Sequence, residues 1–179
     1  MIGNLKKLLP IPITPIDIDE SILQTNIAAL KTDLPRDFIE YSRVYGSGGI
    51  NVKFYTWEVC SAFRPSFPGF VADFFTCQAA FRDAMETFDI ALGLYPEKGG
   101  LLPFGVRDDV YFTWKTDGSP DKWKVTVIWT YEQDGYQSFD LCFLDFLEKL
   151  LTRKIEVVGF RSTWNAKSDI SFRSEVFQC

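Results

Sequence analysis

The sequence predicts an α+β protein in which a mainly antiparallel central sheet is flanked by helices. Three observations carry this expectation. Strand-like segments crowd the middle of the chain, from Ile50 to Phe139. Amphipathic helical segments precede and follow them, and no alternation of strand and helix calls for a parallel sheet. The chain has 179 residues, 46% apolar and 24% charged, which suits a single globular domain. Its 17 phenylalanines, five tryptophans and seven tyrosines predict a bulky core with rings left over for the surface.

Pro10, Pro12 and Pro15 interrupt the first residues, so an extended N-terminal arm is expected over about 1–19. From Glu20 to Leu30, the apolar residues Ile22, Leu23, Ile27 and Leu30 recur at helical spacing. In "LPRDFIEYSRVYGSGG", Pro35 suits a first helical turn and Asp37 the positive end of the helix dipole. Phe38, Ile39 and Tyr45 suit an inner face there, and Gly46 a C-terminal stop. "INVKFYTWEV" reads as one strand, with Val52, Phe54 and Thr56 on one side and Lys53, Tyr55 and Trp57 on the other. "RPSFPGF" reads as a loop, and residues 71–91 as a Phe-rich helix using Phe74, Phe81, Met85 and Phe88.

Leu101–Val106 and Val110–Lys115 read as the two strands of a hairpin, followed by the turn cluster "TDGSPD". The β-branched and aromatic run "WKVTVIWT" predicts a strand. Its period of two puts Trp123, Val125, Val127 and Trp129 on one face and Lys124, Thr126 and Ile128 on the other. "EQDG" turns the chain again and "YQSF" is a short strand. Phe143, Phe146, Leu147, Leu150 and Leu151 then form a single helical stripe. Acidic Asp145 and Glu148 lie near its start and Lys149, Arg153 and Lys154 near its end, matching the dipole. Residues 155–179 read as a strand-rich tail.

The formal charge of -5 and pI near 4.8 oppose nucleic-acid binding, which draws on Lys and Arg against phosphate. They suit a soluble protein or one that meets a basic partner. The chain contains no histidine, which removes histidine triads and histidine zinc sites. Cys60, Cys77, Cys142 and Cys179 form no CxxC pair and read as reduced thiols, so no metal, no cofactor and a cytoplasmic location are expected. The proline-broken N-terminus is not a signal-peptide core, and no apolar run is long enough for a bilayer. "GSGG" at 46–49 follows a helix and lacks a following GK[ST], so it reads as a helix stop and turn rather than a phosphate loop.

Carboxylates and aromatic residues concentrate around the hairpins, and nine are candidate partner-binding residues. They are Asp108, Asp109, Tyr111, Trp114, Asp117, Asp121, Glu132, Asp134 and Tyr136. Paired carboxylates hydrolyse glycosides only when one is a deeply placed acid, whereas aspartates in turns are usually turn-formers. Trp114 adjoins Lys115 and the acidic turn, which allows a place at a rim as well as in the core. Antiparallel pairing is expected to put Asp108, Asp109 and the Asp134 turn at one end of the sheet, and Asp117 and Asp121 at the other.

"LPRDFIEYSRVYGSGGI", "LLPFG", "YFTWKTDGSPDKWKVTVI" and "FDLCFLDFLEKLL" resemble, in this order, landmarks of the SUKH superfamily. That superfamily includes the yeast cell-wall synthesis regulator and many bacterial immunity proteins. The resemblance departs in two places. Asp108 and Asp109 stand where the family often has a turn glycine. Cys142 stands where it often has a serine or threonine helix cap, so Asp140 is expected to assist. The resemblance implies an α+β fold without enzymatic activity. It implies a cytosolic immunity protein that binds and neutralises a cognate toxin domain, such as a nuclease. The alternatives are a regulatory scaffold or small-ligand sensor of the same fold, and then an enzyme.

Overall fold

The computed structural model describes residues 2–13, 18–52, 55–75, 93–108, 110–129, 135–157 and 169–174. Three helices come first: α1 (Ile2–Leu8), α2 (Glu20–Leu30) and α3 (Arg36–Tyr45). Strands β1 (Gly48–Val52) and β2 (Tyr55–Val59) follow, then helical backbone at 67–75, here α4. Next come β3 (Leu101–Arg107), β4 (Val110–Lys115), a 3-10 turn (Pro120–Lys122), β5 (Lys124–Trp129) and β6 (Tyr136–Phe139). Helix α5 (Phe143–Leu151) and strand β7 (Ile170–Ser174) complete the described chain. The seven strands form one antiparallel sheet in the order β6-β5-β4-β3-β2-β1-β7. The expected α+β architecture, an antiparallel sheet flanked by helices, is present.

One face of the sheet packs on α3 and α5 through aromatic rings. Phe143 of α5 meets Phe38 at 5.2 Å, Tyr41 at 5.2 Å and Phe104 at 5.1 Å between ring centres, in each case edge to face. The apolar stripe of α5 is buried along its length, and Phe146 and Leu147 are wholly inaccessible to solvent. On α3 the inner face is Phe38, Tyr41 and Tyr45, one turn apart, with Ile39 only half-buried. Gly46 ends α3 with a φ of 67°, a backbone conformation that glycine adopts without a Cβ penalty.

The opposite face is covered as well. Phe74 of α4 and Leu94 form a second cluster with Leu101 and Ile128, and Tyr111 packs against it. This explains why β5 is buried at Val125 through Trp129 rather than at alternate positions. The period-two assignment of its faces holds, but both faces have a cover. Buried Thr113 donates to the Thr126 carbonyl at 2.7 Å, which satisfies its hydroxyl where no water reaches.

The structure corrects four sequence expectations here. Residues 2–8 are helical rather than extended, because Ile2, Leu5 and Leu9 make an apolar stripe that α5 and α3 cover. Leu5 and Leu9 are fully buried, and Tyr45 donates its hydroxyl to the Leu9 carbonyl at 2.8 Å. The segment 50–59 is a hairpin, not one strand, with Val52 paired to Tyr55 and Ile50 to Trp57. Pairing across a turn reverses the parity, so Val52 and Trp57 share a face and Thr56 is exposed. "RPSFPGF" is not wholly loop, because α4 starts at residue 67. Finally, Trp114 is fully buried, its ring 4.7 Å from Phe104 and 4.8 Å from Phe38. Of the 71–91 helix, residues 76–91 lie outside the described residues, with Phe81, Met85 and Phe88.

Gly48 lets β7 close the far side of the sheet. A Cβ there would lie 2.4 Å from the Arg173 carbonyl oxygen and 2.5 Å from the Phe172 ring. The backbone of β7 therefore approaches as closely as it does only because position 48 carries no side chain.

Two substitutions test the aromatic core. Leu147→Ala is expected to cost about 2–5 kcal/mol and Trp114→Ala about 3–5 kcal/mol in denaturant unfolding. A loss for either no greater than that of a surface alanine substitution would contradict this packing.

Candidate functional site

Of the nine candidate residues, the structure brings Asp108, Tyr111 and Tyr136 to one end of the sheet. Val106, Tyr111, Ile128 and Tyr136 are direct partners across β3, β4, β5 and β6, so they form one row on one face. Ile128 is buried within that row and Tyr111 is half-buried, edge-on to Phe74 at 5.0 Å. Tyr136, on the edge strand, is 44% exposed. Asp108 lies two residues beyond Val106, in the turn between β3 and β4, with a φ of 48°. Aspartate tolerates this left-handed conformation better than most side chains. Its carboxylate is 81% exposed and lies 3.6 Å from the Arg107 guanidinium, which is itself mostly buried. The result is a solvent-facing carboxylate and an edge aromatic at the same end of the sheet, with β4 and β5 between them.

Asp117 and Asp121 lie at the opposite end, near the paired Lys115 and Lys124. The two ends are thus separated as antiparallel pairing requires. Trp114 adjoins Lys115 at this second end but is buried rather than exposed. Asp109, Glu132 and Asp134 lie outside the described residues.

Asp121 already has a structural task. Its carboxylate accepts from the Arg36 backbone N–H at 2.9 Å and from Arg36 Nε at 2.5 Å, at the first residue of α3. Pro35 supplies no side-chain cap, so this carboxylate from the 3-10 turn takes its place. The backbone hydrogen bond, ahead of the guanidinium charge, holds the Asp121 carboxyl below the usual aspartate range.

A second cap of the same kind joins α3 to α5. Asp37 Oδ2 accepts from the Leu144 N–H at 3.0 Å, at the start of α5. Asp140, expected to assist Cys142 in this role, instead pairs with Lys124 at 2.8 Å. Burial pushes the Asp37 carboxyl up, and its hydrogen bonds to Leu144 and Cys142 only partly offset that. The Cys142 thiol is pushed up to about 11, chiefly by burial, with the Asp37 and Asp145 charges adding to it. Arg36, Asp37, Glu40, Asp121 and Cys142 line a cavity of about 260 Å³ at the helix starts. Its Asp37 and Asp121 carboxylates are engaged as caps and its thiol stays protonated at neutral pH. It is a structural joint rather than a reactive centre.

Sequence reasoning assigned Asp37 to the dipole of its own helix and missed its bond to another. Nothing in the local pattern signals a cap supplied across the fold. Among the described residues no group of three His, Cys, Asp or Glu side chains could hold a metal ion. No described helix is long and apolar enough to cross a membrane. No protein-family model, curated protein or solved structure matches the chain.

Asp37→Ala is expected to destabilise the fold by about 1 kcal/mol, whereas Asp37→Asn keeps an acceptor and loses less. A raised folded value means that the folded chain holds the Asp37 proton more tightly than the unfolded one. The aspartate's contribution therefore falls as pH rises from the ordinary carboxyl value through the raised one, a slope that Asp37→Asn removes. Urea unfolding of the native chain and both variants across acidic pH measures this. A native-minus-Asn stability difference that is flat across that window would contradict it. Cys142 is expected to resist alkylation at pH 8 in the folded chain and to react fully once unfolded, as mass spectrometry would show.

Proposed function

We propose that this chain is a non-enzymatic binding protein of the immunity type, which docks on a basic toxin domain and blocks it. The observation that carries this reading is the end of the sheet where Asp108 and Tyr136 meet solvent. A carboxylate held 81% exposed in a left-handed turn and an edge tyrosine 44% exposed supply charge and an anchor together. Aromatic side chains are enriched among residues that dominate binding energy, while complementary charge steers encounter. The net charge of -5 favours a cationic partner such as a nuclease domain, whose substrate groove is basic. The resemblance to SUKH immunity proteins points the same way and supplies the toxin as the class of partner.

Asp108 is a better docking residue than Asp121, because Asp121 caps α3 and its removal disturbs the fold. Trp114 is excluded from the surface by burial, so the anchoring role falls to Tyr136.

Binding kinetics test the proposal, with a toxin domain encoded immediately upstream of this chain's gene as the partner. Asp108→Lys is expected to slow association and flatten its dependence on salt, and Tyr136→Ala to speed dissociation with association nearly unchanged. Unaltered kinetics in both variants would move the interface elsewhere. Failure of the native chain to bind or inhibit that domain would reject the function.

A further inference from the structure

The row that joins Tyr136, Ile128, Tyr111 and Val106 does not stop at β3. Val106 pairs with Glu58 on β2, Glu58 with Gly49 on β1, and Gly49 with Arg173 on β7. A cavity of about 190 Å³ opens on this row where α4 crosses it. Glu58 and Val106 line it from the sheet, Gly69, Phe70 and Asp73 from α4, and Arg64 from the segment between. Most of the wall is apolar.

The charged groups around the cavity compensate one another. Glu58 and Asp73 are acidic, and Arg64 and Arg173 are basic. Burial pushes the Glu58 carboxyl up, and the charges of Arg64 and Arg173 pull it back. Gly49 stands between Glu58 and Arg173 and places no side chain there. A charged guest of either sign would meet repulsion as well as attraction and would lose its hydration on entry. An uncharged apolar guest leaves no hydrogen bond behind and gains by leaving water.

Size narrows the guest further. The space is several times the roughly 30 Å³ of one water. It falls short of the roughly 300 Å³ at which pockets for drug-sized ligands begin. One large aliphatic or aromatic side chain fits between those limits. Adjacent strands lie roughly 4.8 Å apart, so the four steps from Glu58 to Tyr136 span about 19 Å. A protein partner that covers about 800 Å² of this chain occupies a patch roughly 30 Å across, which takes in both.

We propose that this cavity is the anchor pocket of the docking face and receives one uncharged aliphatic or aromatic side chain of the toxin domain. The inference rests on the immunity reading and extends it from Tyr136 along the row to α4. Phe70 and Val106 form the wall against which the guest packs, and the compensated charges form the rim. Side chains that dominate binding energy sit in desolvated pockets of this kind, whereas rim charges contribute little.

Gly69→Leu tests the pocket by filling it from α4, since a Cβ at position 69 meets no atom within 4 Å and so leaves the fold intact. With the toxin domain encoded immediately upstream, this variant is expected to dissociate roughly tenfold faster than the native chain, with association nearly unchanged. Gly69→Met, a more flexible filling, is expected to act in the same direction. Glu58→Gln alters the rim alone and is expected to leave dissociation within about twofold of native. Native dissociation in both Gly69 variants would overturn the pocket and leave the immunity reading standing. A native chain that does not bind the domain would reject the immunity reading, and the toxin as occupant with it. A titration without toxin examines the guest itself, using backbone amide shifts of the full chain. N-acetyl-leucine N-methylamide is expected to give saturable shifts at Gly69, Phe70 and Val106 that Gly69→Leu removes. The corresponding arginine and glutamate compounds are expected to bind several-fold more weakly, and equal binding by either would overturn the choice of an uncharged guest.

Discussion

The ring of Phe143 is the contact on which the rest of this structure depends. It touches α3 through Phe38 and Tyr41 and the sheet through Phe104 and Trp114. Those rings meet mostly edge to face, an arrangement in which the positive rim of one ring faces the negative face of the next. Because the cluster joins two helices and two strands, it sets the height of both helices above the sheet. Among the described residues Trp114 Nε1 has no hydrogen-bond partner, so burial of the ring outweighs the cost of one unsatisfied donor.

Two carboxylates finish what the rings begin. Asp121 caps α3 and Asp37 caps α5, so each helix start is closed by an aspartate from another element. The hairpin turn, α3 and α5 are thereby linked in series at one end of the molecule. At that end the Asp37 and Asp121 carboxylates already accept hydrogen bonds as helix caps. The other end of the sheet carries the exposed carboxylate of Asp108 and the partly exposed ring of Tyr136. The two ends of one sheet thus differ, with cap carboxylates at one and Asp108 and Tyr136 at the other.

The second face of the sheet adds to the chain's demand for apolar residues. A sheet open to water on one face needs apolar residues only at alternate positions. Here Phe74 and Leu94 close over Leu101 and Ile128, so a strand such as β5 is buried on both faces. Where α4 passes over β2 and β3, the cover leaves the cavity that exposes the partly buried carboxylate of Glu58.

The sequence by itself determined the elements whose pattern repeats within their own length. The stripe of α5, the span of α2, the start and stop of α3 and the hairpin of β3 and β4 are set by local spacing, prolines and glycines. Their periodicity is a property of a single helix or strand, so no other part of the chain is needed to read it. The tertiary structure decided everything that required a second surface. Leu5 and Leu9 make α1 a helix only because α5 and α3 cover them, and Trp114 is core because α3 and α5 come down onto it. The turn inside 50–59 reversed which side chains share a face, because parity across a hairpin depends on pairing and not on spacing along one strand. The caps that Asp37 and Asp121 supply to other elements carry no local signature. Their roles arise where elements distant in sequence meet, and a carboxylate's task is set by the donors and apolar walls that the fold brings to it.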